Sequence, residues 1–456
     1  MDAPQALPRT VDLAYGAVDP DVPLEPGDLR YVDLNSARGD EDLPALIARR
    51  VRFTSEGSWH RQLLTGHRGS GKSTELKCLQ GLLDQAGFFT VYVDVEETLD
   101  LADVEYLDVL VAIARTLDET ARVRKLRISP KLIEAIGEWF AETVLTKEER
   151  RDVNLTLKTE YGVGLNVDMP LFARMMAAVT GQIRSGGSAR VETRRKLEQR
   201  LPVLMERLNE LVDDVSVRAL KKGYKRLVVI ADSLEKMNLT VLEGGQTNHS
   251  VLFVEHAEQL KALDCHVVYT VPISLLYDRN LGAAFGDVDV IPMVKITEDD
   301  GQTPCARGRD LLFEIVARRM DVDAVFDSPE TLCKLVVASG GVVRDLMRMV
   351  RFACAYTDDR IDGPTAQRAI LKMVREYERL IHREDLELLA QVHRERRLPG
   401  STHLSRLMYN RLVLPYVNGD RWMDVHPAVA AAPLFRDHFQ LERGWPVGQA
   451  GDLSGT

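Results

Sequence analysis

Residues 66–73 read GHRGSGKS, a full match to the phosphate-binding pattern GxxxxGK(S/T). A short apolar run at residues 61–64 precedes this segment, and a helix-forming stretch begins at Thr74. Glycines let successive backbone N–H groups face phosphate oxygens, and the start of the following helix adds the positive end of its dipole. The order strand, loop, helix therefore predicts a nucleoside-triphosphate site.

Within this loop we expect two side chains to perform distinct tasks. Lys72 is expected to reach the β- and γ-phosphates, and the Ser73 hydroxyl to ligate Mg²⁺. The alternative is an ordinary glycine-rich turn with an exposed lysine. The predicted residues for binding ATP are Gly66, His67, Arg68, Gly69, Ser70, Gly71, Lys72, Ser73 and Thr74.

A second set of polar residues follows the apolar run at 227–231. Asp232 stands at its carboxyl end, the edge where ligands lie in an open α/β sheet, so we expect it to hold Mg²⁺; the alternative is a helix-capping aspartate. The next residue is a serine, so the nearest carboxylate that can activate water is Glu235, our candidate catalytic base. The alternative is a surface glutamate paired with Lys236.

Five predicted strands alternate with long helical stretches, which is typical of an α/β fold with a parallel sheet covered on both faces. The strands are expected at residues 61–64, 88–95, 227–231, 266–271 and 288–296. If the fourth lies between the strand of Asp232 and the strand of the loop, Thr270 at its tip can sense the γ-phosphate. Thr270 is equally well explained as a good strand former.

Composition bounds the remaining possibilities. The chain has 456 residues, 45% hydrophobic and 28% charged, which excludes disorder as its main state. Its net charge of −10 excludes a surface that is basic throughout. The five scattered cysteines are poor material for disulfides or zinc. We see neither a signal peptide nor a membrane-spanning run and expect a cytoplasmic protein without membrane contact.

The order of patterns predicts several units along the chain. We expect an N-terminal arm and helix at 1–60 and a P-loop core at 61–304 with a helical insertion at 118–222. A helical lid at 305–362, a winged helix at 363–440 and a flexible tail at 441–456 complete the prediction.

With DxxE at residues 232–235 and GxxR at residues 341–344, the chain resembles the AAA+ and STAND branch of P-loop ATPases. Its layout is most similar to origin-recognition-type AAA+ proteins, which carry a helical lid and then a winged helix. The resemblance implies that Arg344 binds the γ-phosphate; the alternative is a surface arginine at a helix start. It also implies a homo-oligomer in which Arg279, Arg307 or Arg309 acts on a neighbouring subunit, and we leave that choice open.

The C-terminal module is predicted from three helices followed by a hairpin whose turn contains Asn418. Residues 391–413 are locally basic, and DNA contact is expected there. A packing module for proteins is the alternative. The candidate DNA contacts are Arg396, Arg397, Arg406 and Arg411.

Together these features favour an ATP-binding and ATP-hydrolysing switch whose nucleotide state controls oligomer assembly and engagement of a protein or DNA partner. By family analogy alone, a bacterial defence or mobile-element system is a fitting context. Two alternatives stay open: an ATP-gated DNA-binding initiator or loader that uses the winged helix, and an ATP-binding scaffold without hydrolysis.

Overall fold

The computed structural model describes residues 6–145, 179–184, 186–397, 404–418 and 420–439. Its centre is a five-stranded parallel sheet in the order β2-β3-β4-β1-β5. The strands are β1 Arg61–Gly66, β2 Phe89–Asp94, β3 Leu227–Asp232, β4 His266–Pro272 and β5 Asp287–Ile291. The predicted α/β fold is therefore confirmed, and β4 lies between β3 and β1.

The fifth strand is shorter than the sequence predicted. It ends at Ile291 because Pro292 has no N–H to donate to a neighbouring strand. Beyond it, the N–H groups of Met293 and Lys295 donate to the carbonyls of Pro415 and Ala37. The predicted second half of this strand instead joins the C-terminal hairpin and the N-terminal segment to the core.

Helices cover both faces of the sheet, as the continuous apolar runs required. Leu43–Phe53, which Asp42 caps, and Lys72–Gln85 pack on one face. Tyr106–Val123 and Leu201–Lys221 pack on the other face. Neighbouring strand residues thus face opposite layers and both are buried.

The helical insertion differs from its predicted bounds of 118–222. Tyr106–Val123 and Leu201–Lys221 both contact the sheet, and the described helices between them pack against these two helices and join the same apolar cluster. These described helices are Pro130–Val144 and Gly187–Glu198, while residues 146–178 lie outside the described part. Arg194 fastens the second of these helices, because it pairs with carboxylates that follow β2.

The lid consists of Ala306–Ala317, Val322–Val325, Pro329–Ala338 and Val343–Cys354. The N-terminal helix Val11–Ala17 packs into the same apolar cluster through its buried side chains. The predicted arm is thus part of the lid layer rather than a free extension.

The C-terminal unit has the predicted order of helices and hairpin. Its helices are Gly363–Glu378, Leu386–Glu395 and Leu404–Tyr409, and they precede the antiparallel pair β6 Val413–Asn418 and β7 Asp420–Val425. Two helices follow, at Pro427–Ala431 and Pro433–Phe439. The central turn residue 419, residues 398–403 and the predicted tail at 441–456 lie outside the described residues.

Short helices fill the connections of the core. They are Val95–Thr98, Asn35–Ala37, Leu234–Lys236, Asn248–Ser250, Val251–Glu255, Ala257–Lys261, Ile273–Leu276, Leu281–Phe285 and Arg383–Asp385. Within the described ranges, we find no helix with the length and apolarity needed to cross a bilayer.

Candidate nucleotide site

The predicted phosphate loop joins β1 to the helix Lys72–Gln85 at the carboxyl edge of the sheet. Gly69 adopts a positive φ of 85°, and a Cβ there would lie 2.6 Å from the Cβ of Arg344. The N–H of Arg344 donates to the Gly69 carbonyl at 3.2 Å. Glycine is therefore required at position 69 both for its backbone conformation and for the close approach of the lid.

Lys72 is buried inside the loop. Its Nζ donates to the carbonyls of Gly66 at 3.0 Å and His67 at 2.8 Å, and lies 3.2 Å from Oε1 of Glu235. Burial lowers the pKa of Lys72, while the charge of Glu235 acts in the opposite direction. The lysine is thus held where a phosphate would bind, with a carboxylate as its present partner.

Asp232 and Ser73 meet at the end of β3, as a magnesium site requires. Oδ2 of Asp232 accepts from the Tyr92 hydroxyl at 2.6 Å, Oδ1 accepts from the Ser233 N–H at 2.7 Å, and the Ser73 hydroxyl also bonds this carboxylate. Burial and the nearby Glu235 raise the pKa of Asp232. A hydroxyl and a carboxylate at one point fit Mg²⁺, which prefers few protein oxygens together with phosphates and water.

Glu235 is buried, with only 4% of its side chain exposed, and faces the loop. Burial alone would raise its pKa, but the charge of Lys72 and the neighbouring Thr270 hold it below its ordinary value. Lys236 bonds Glu96 instead. The alternative of a surface glutamate paired with Lys236 is therefore wrong.

Thr270 lies at the tip of β4, behind the segment that carries Glu235. Its hydroxyl accepts from the Leu234 N–H at 3.0 Å and donates to the Ala231 carbonyl at 3.5 Å. The structure thus brings Thr270 to the predicted edge, where it holds the carboxylate segment. Its role as a γ-phosphate sensor stays a prediction.

Arg344 enters the same cleft from the lid. Its Nε donates to the Pro20 carbonyl at 3.3 Å and lies 3.5 Å from Oδ1 of Asp21. The cleft has a volume of about 160 Å³ and lies between the phosphate loop, the N-terminal arm and the lid. The N–H of Leu24 donates to the Thr74 hydroxyl at 3.3 Å, so the arm also contacts the loop helix.

Arg38 is a buried residue of this site that the sequence did not reveal. It donates to the Ser70 carbonyl and lies 3.3 Å from Oε1 of Glu75, on the helix that follows the loop. The Tyr31 hydroxyl donates to the same glutamate at 3.3 Å. No motif marks this region in the sequence.

The side chains of His67 and Arg68 do not line the cleft, and the part of these two loop residues in ATP binding stays a prediction. His67 is buried, and burial together with Arg411 and Lys72 lowers its pKa to about 3. Arg68 donates to the carbonyls of Glu235 at 3.2 Å and Met237 at 3.0 Å. The loop glycines separate these side chains from the phosphate face.

Arg68 also connects the phosphate loop to the C-terminal unit. Its Nη2 donates to the Tyr409 hydroxyl at 3.2 Å, and its guanidinium carbon lies 4.8 Å from the centre of that ring. The same hydroxyl donates to the Met237 carbonyl at 3.4 Å and accepts from the Leu239 N–H at 3.4 Å. We call this set of contacts the Arg68–Tyr409 latch.

A buried ion pair joins the lid to the C-terminal unit beside the latch. Asp345 lies 3.2 Å from Nη1 of Arg411, and its other oxygen accepts from the Tyr377 hydroxyl at 2.6 Å and lies 3.4 Å from Nε2 of His426. Burial alone would raise the pKa of Asp345, but Arg411 and these bonds lower it. Asp345 directly follows Arg344, so the arginine that lines the cleft and this pair share one helix.

These contacts correct part of the DNA prediction. Arg411 is buried against Asp345, Arg406 pairs with Asp385, and Arg396 lies 3.2 Å from Asp424. Of the four expected contacts, Arg397 is the one with an exposed side chain. Tertiary ion pairs therefore use the charges that made residues 391–413 look basic.

The three candidates for an arginine that acts on a neighbouring subunit lie apart. Nε of Arg279 donates to the Ser250 hydroxyl at 3.0 Å, and 41% of its side chain is exposed. Arg307 is exposed and bonds Ser36, whereas Arg309 is half-buried and bonds a carbonyl. The choice between Arg279 and Arg307 stays open.

No protein-family model matches the chain, and no curated protein matches it. One similar solved structure is the ORC2 protein of Aeropyrum pernix, with a TM-score of 0.40 and 14% identity over 93% of this chain and 97% of that chain. A second is a Walker-type ATPase of Pyrococcus abyssi, with a TM-score of 0.40 and 13% identity over 92% of this chain and 99% of that chain. Another is Cdc6p of Pyrobaculum aerophilum, with a TM-score of 0.36 and 14% identity over 93% of this chain and 95% of that chain.

Proposed function

We propose that this chain is an ATP-binding and ATP-hydrolysing switch in which the nucleotide controls the docking of the C-terminal unit. The observation that carries the proposal is that adjacent loop residues contact two different units. Gly69 bonds the lid residue Arg344, and Arg68 bonds Tyr409. A change in the loop on nucleotide binding therefore acts on both units.

The residues suggest how the triphosphate is sensed. Lys72 exchanges its contact with Glu235 for phosphate oxygens, because the phosphates carry more charge than one carboxylate. Glu235 is then free to orient or deprotonate the attacking water. The Glu235 carbonyl also accepts from Arg68, so its movement strains the latch.

Mg²⁺ bound at Ser73 and Asp232 would neutralise charge on the β- and γ-phosphates. Arg344 would close the lid on the γ-phosphate, since it already lines the cleft. The Asp345–Arg411 pair then transmits this lid position to the C-terminal unit.

We further propose that the open state assembles with copies of itself and engages a protein or DNA partner in the cytoplasm. Arg279 or Arg307 would complete a neighbour's site, because both are exposed. The resemblance to AAA+ and STAND proteins is what favours a switch of this kind, and a defence or mobile-element setting rests on that resemblance alone.

The experiment is ATP turnover and fluorescent-ATP binding by the wild type and three variants, with and without duplex DNA. We expect Lys72→Ala to lose binding and Glu235→Gln to bind normally but lose turnover by roughly 100-fold or more. Lys131→Ala, which changes an exposed lysine on the helix Pro130–Val144, is the matched control and should behave as the wild type. Equal turnover by Glu235→Gln and the wild type would remove Glu235 from the mechanism.

A further inference from the structure

A groove with a row of cations runs along the helix Gly363–Glu378, the first of the C-terminal unit. Its volume is about 540 Å³, and Tyr356 forms part of its wall. We call it the basic groove. Its four cations are Arg368, Lys372, Arg375 and Arg379.

The four cations lie on one side of the helix. Their spacings of four, three and four residues place them one above another along a single face. At 1.5 Å per residue, the row is about 16 Å long. One strand of a nucleic acid presents a phosphate every 3.4 Å of rise, so the row matches about five phosphates.

The positive charges of this row are not neutralised by carboxylates among the residues that the structure describes. None of the four cations forms an ion pair with any residue that the structure describes. Arg368 lies 4.4 Å from the centre of the Tyr356 ring, and Nζ of Lys372 lies 3.7 Å from that of Phe352. Aromatic rings thus hold two of the cations without neutralising them.

The one carboxylate that lines the groove does not offset the row. Glu376 pairs with Arg348, which comes from the lid helix. The helix dipole explains cations at the carboxyl end, namely Arg375 in the last turn and Arg379 just after it, but not Arg368 and Lys372 in the middle of the helix. The helix dipole therefore explains only two of the four cations in the row.

We propose that the basic groove binds the phosphate backbone of a nucleic acid. Three of its four cations are arginines, whose guanidinium groups match phosphate oxygens in pairs. A protein partner would need buried apolar anchors, and the groove offers one exposed leucine, Leu371. The concentrated row also overcomes the repulsion of a polyanion by a chain of net charge −10.

This inference does not depend on the nucleotide switch or on residues 391–413. The groove lies on a different helix from Arg406, and its cations are available without ATP. A binding experiment without nucleotide therefore separates the two proposals. Lys72→Ala should bind the nucleic acid as the wild type does even though it loses ATP.

The test is the anisotropy of a labelled 30-base-pair duplex of mixed sequence, titrated with protein between 50 and 200 mM salt. The test variant replaces all four groove cations by glutamine. We expect the slope of log K against log salt to become less steep by about 3.6, which is 0.9 for each of four phosphate contacts. Replacing the three arginines by lysine should keep the slope, which also shows that the helix tolerates substitution.

The matched control removes three arginines and one lysine from exposed positions on the core. They are Arg49, Arg52, Arg127 and Lys221, each changed to glutamine. The control should keep the wild-type slope. An equal flattening in both variants would overturn the proposal, because net charge alone would then account for binding. Displacement of the duplex by polyglutamate at equal charge concentration would also overturn it, in favour of an acidic protein.

Discussion

Removing the Tyr409 side chain tests the coupling between the phosphate loop and the C-terminal unit. Tyr409→Phe deletes one hydroxyl that bonds Arg68 at 3.2 Å and Leu239 and Met237 at 3.4 Å. These contacts are long, so we assign them about 1.4 kcal/mol together, a tenfold change in the opening equilibrium. Tyr409→Ala also removes the ring under Arg68, 4.8 Å away, for about 1 kcal/mol more.

The assay is the release rate of a fluorescent ADP analogue, followed by stopped flow. If opening of the latch precedes release, Tyr409→Phe should accelerate release about tenfold and Tyr409→Ala about 50-fold. Tyr224 is the control, because its half-buried ring lies 6.0 Å from the guanidinium of Arg124 at the opposite edge of the sheet. Wild-type release rates in both Tyr409 variants would refute the latch as the gate.

Two further predictions concern stability. Asp345→Asn leaves the buried Arg411 without its counter-charge and should lower the free energy of unfolding by about 3–5 kcal/mol in urea titrations. Adding Arg411→Met should recover much of this loss. If the effects of the two substitutions on the free energy of unfolding are strictly additive, the pairing is contradicted. Three buried histidines have pKa values lowered by burial to about 3 or 4 from an ordinary 6.5, so the unfolded state takes up protons first and stability falls as the pH drops below 6.5. Between pH 7 and pH 5, each histidine should lower the free energy of unfolding by about 2 kcal/mol. Each single His→Gln variant should remove one such loss. A free energy of unfolding that does not change over this pH range would contradict neutral buried rings. The three are His67, His249 and His266.

Local patterns made most of the fold predictable. Each of three features depends only on residues that are close in the sequence: the loop at 66–73, the apolar strands and the acid after β3. The sequence therefore located Lys72, Ser73 and Asp232 at one sheet edge. The sequence left the position of β4 open, and the structure places this strand between β3 and β1. The end of β5 was mispredicted, because Met293 and Lys295 donate outside the sheet.

The rest depends on contacts between distant parts of the chain. Tyr409 follows Arg68 by 341 residues, and no periodicity or motif marks the pair. The basic segment at 391–413 was misjudged for the same reason, since the partners of Arg411 and Arg406 lie in other elements. Charge counts along a sequence do not show which charges pair in space.

Hydrogen exchange of residues 404–409 and 234–239 tests the switch most directly. The measurement compares wild-type protein with Mg²⁺ and either ADP or a non-hydrolysable ATP analogue. We predict that the ATP analogue increases exchange in both segments, since the latch between them opens, and that Arg344→Ala abolishes the difference. Equal exchange with the two nucleotides, both shown to be bound, would contradict control of the C-terminal unit by the γ-phosphate.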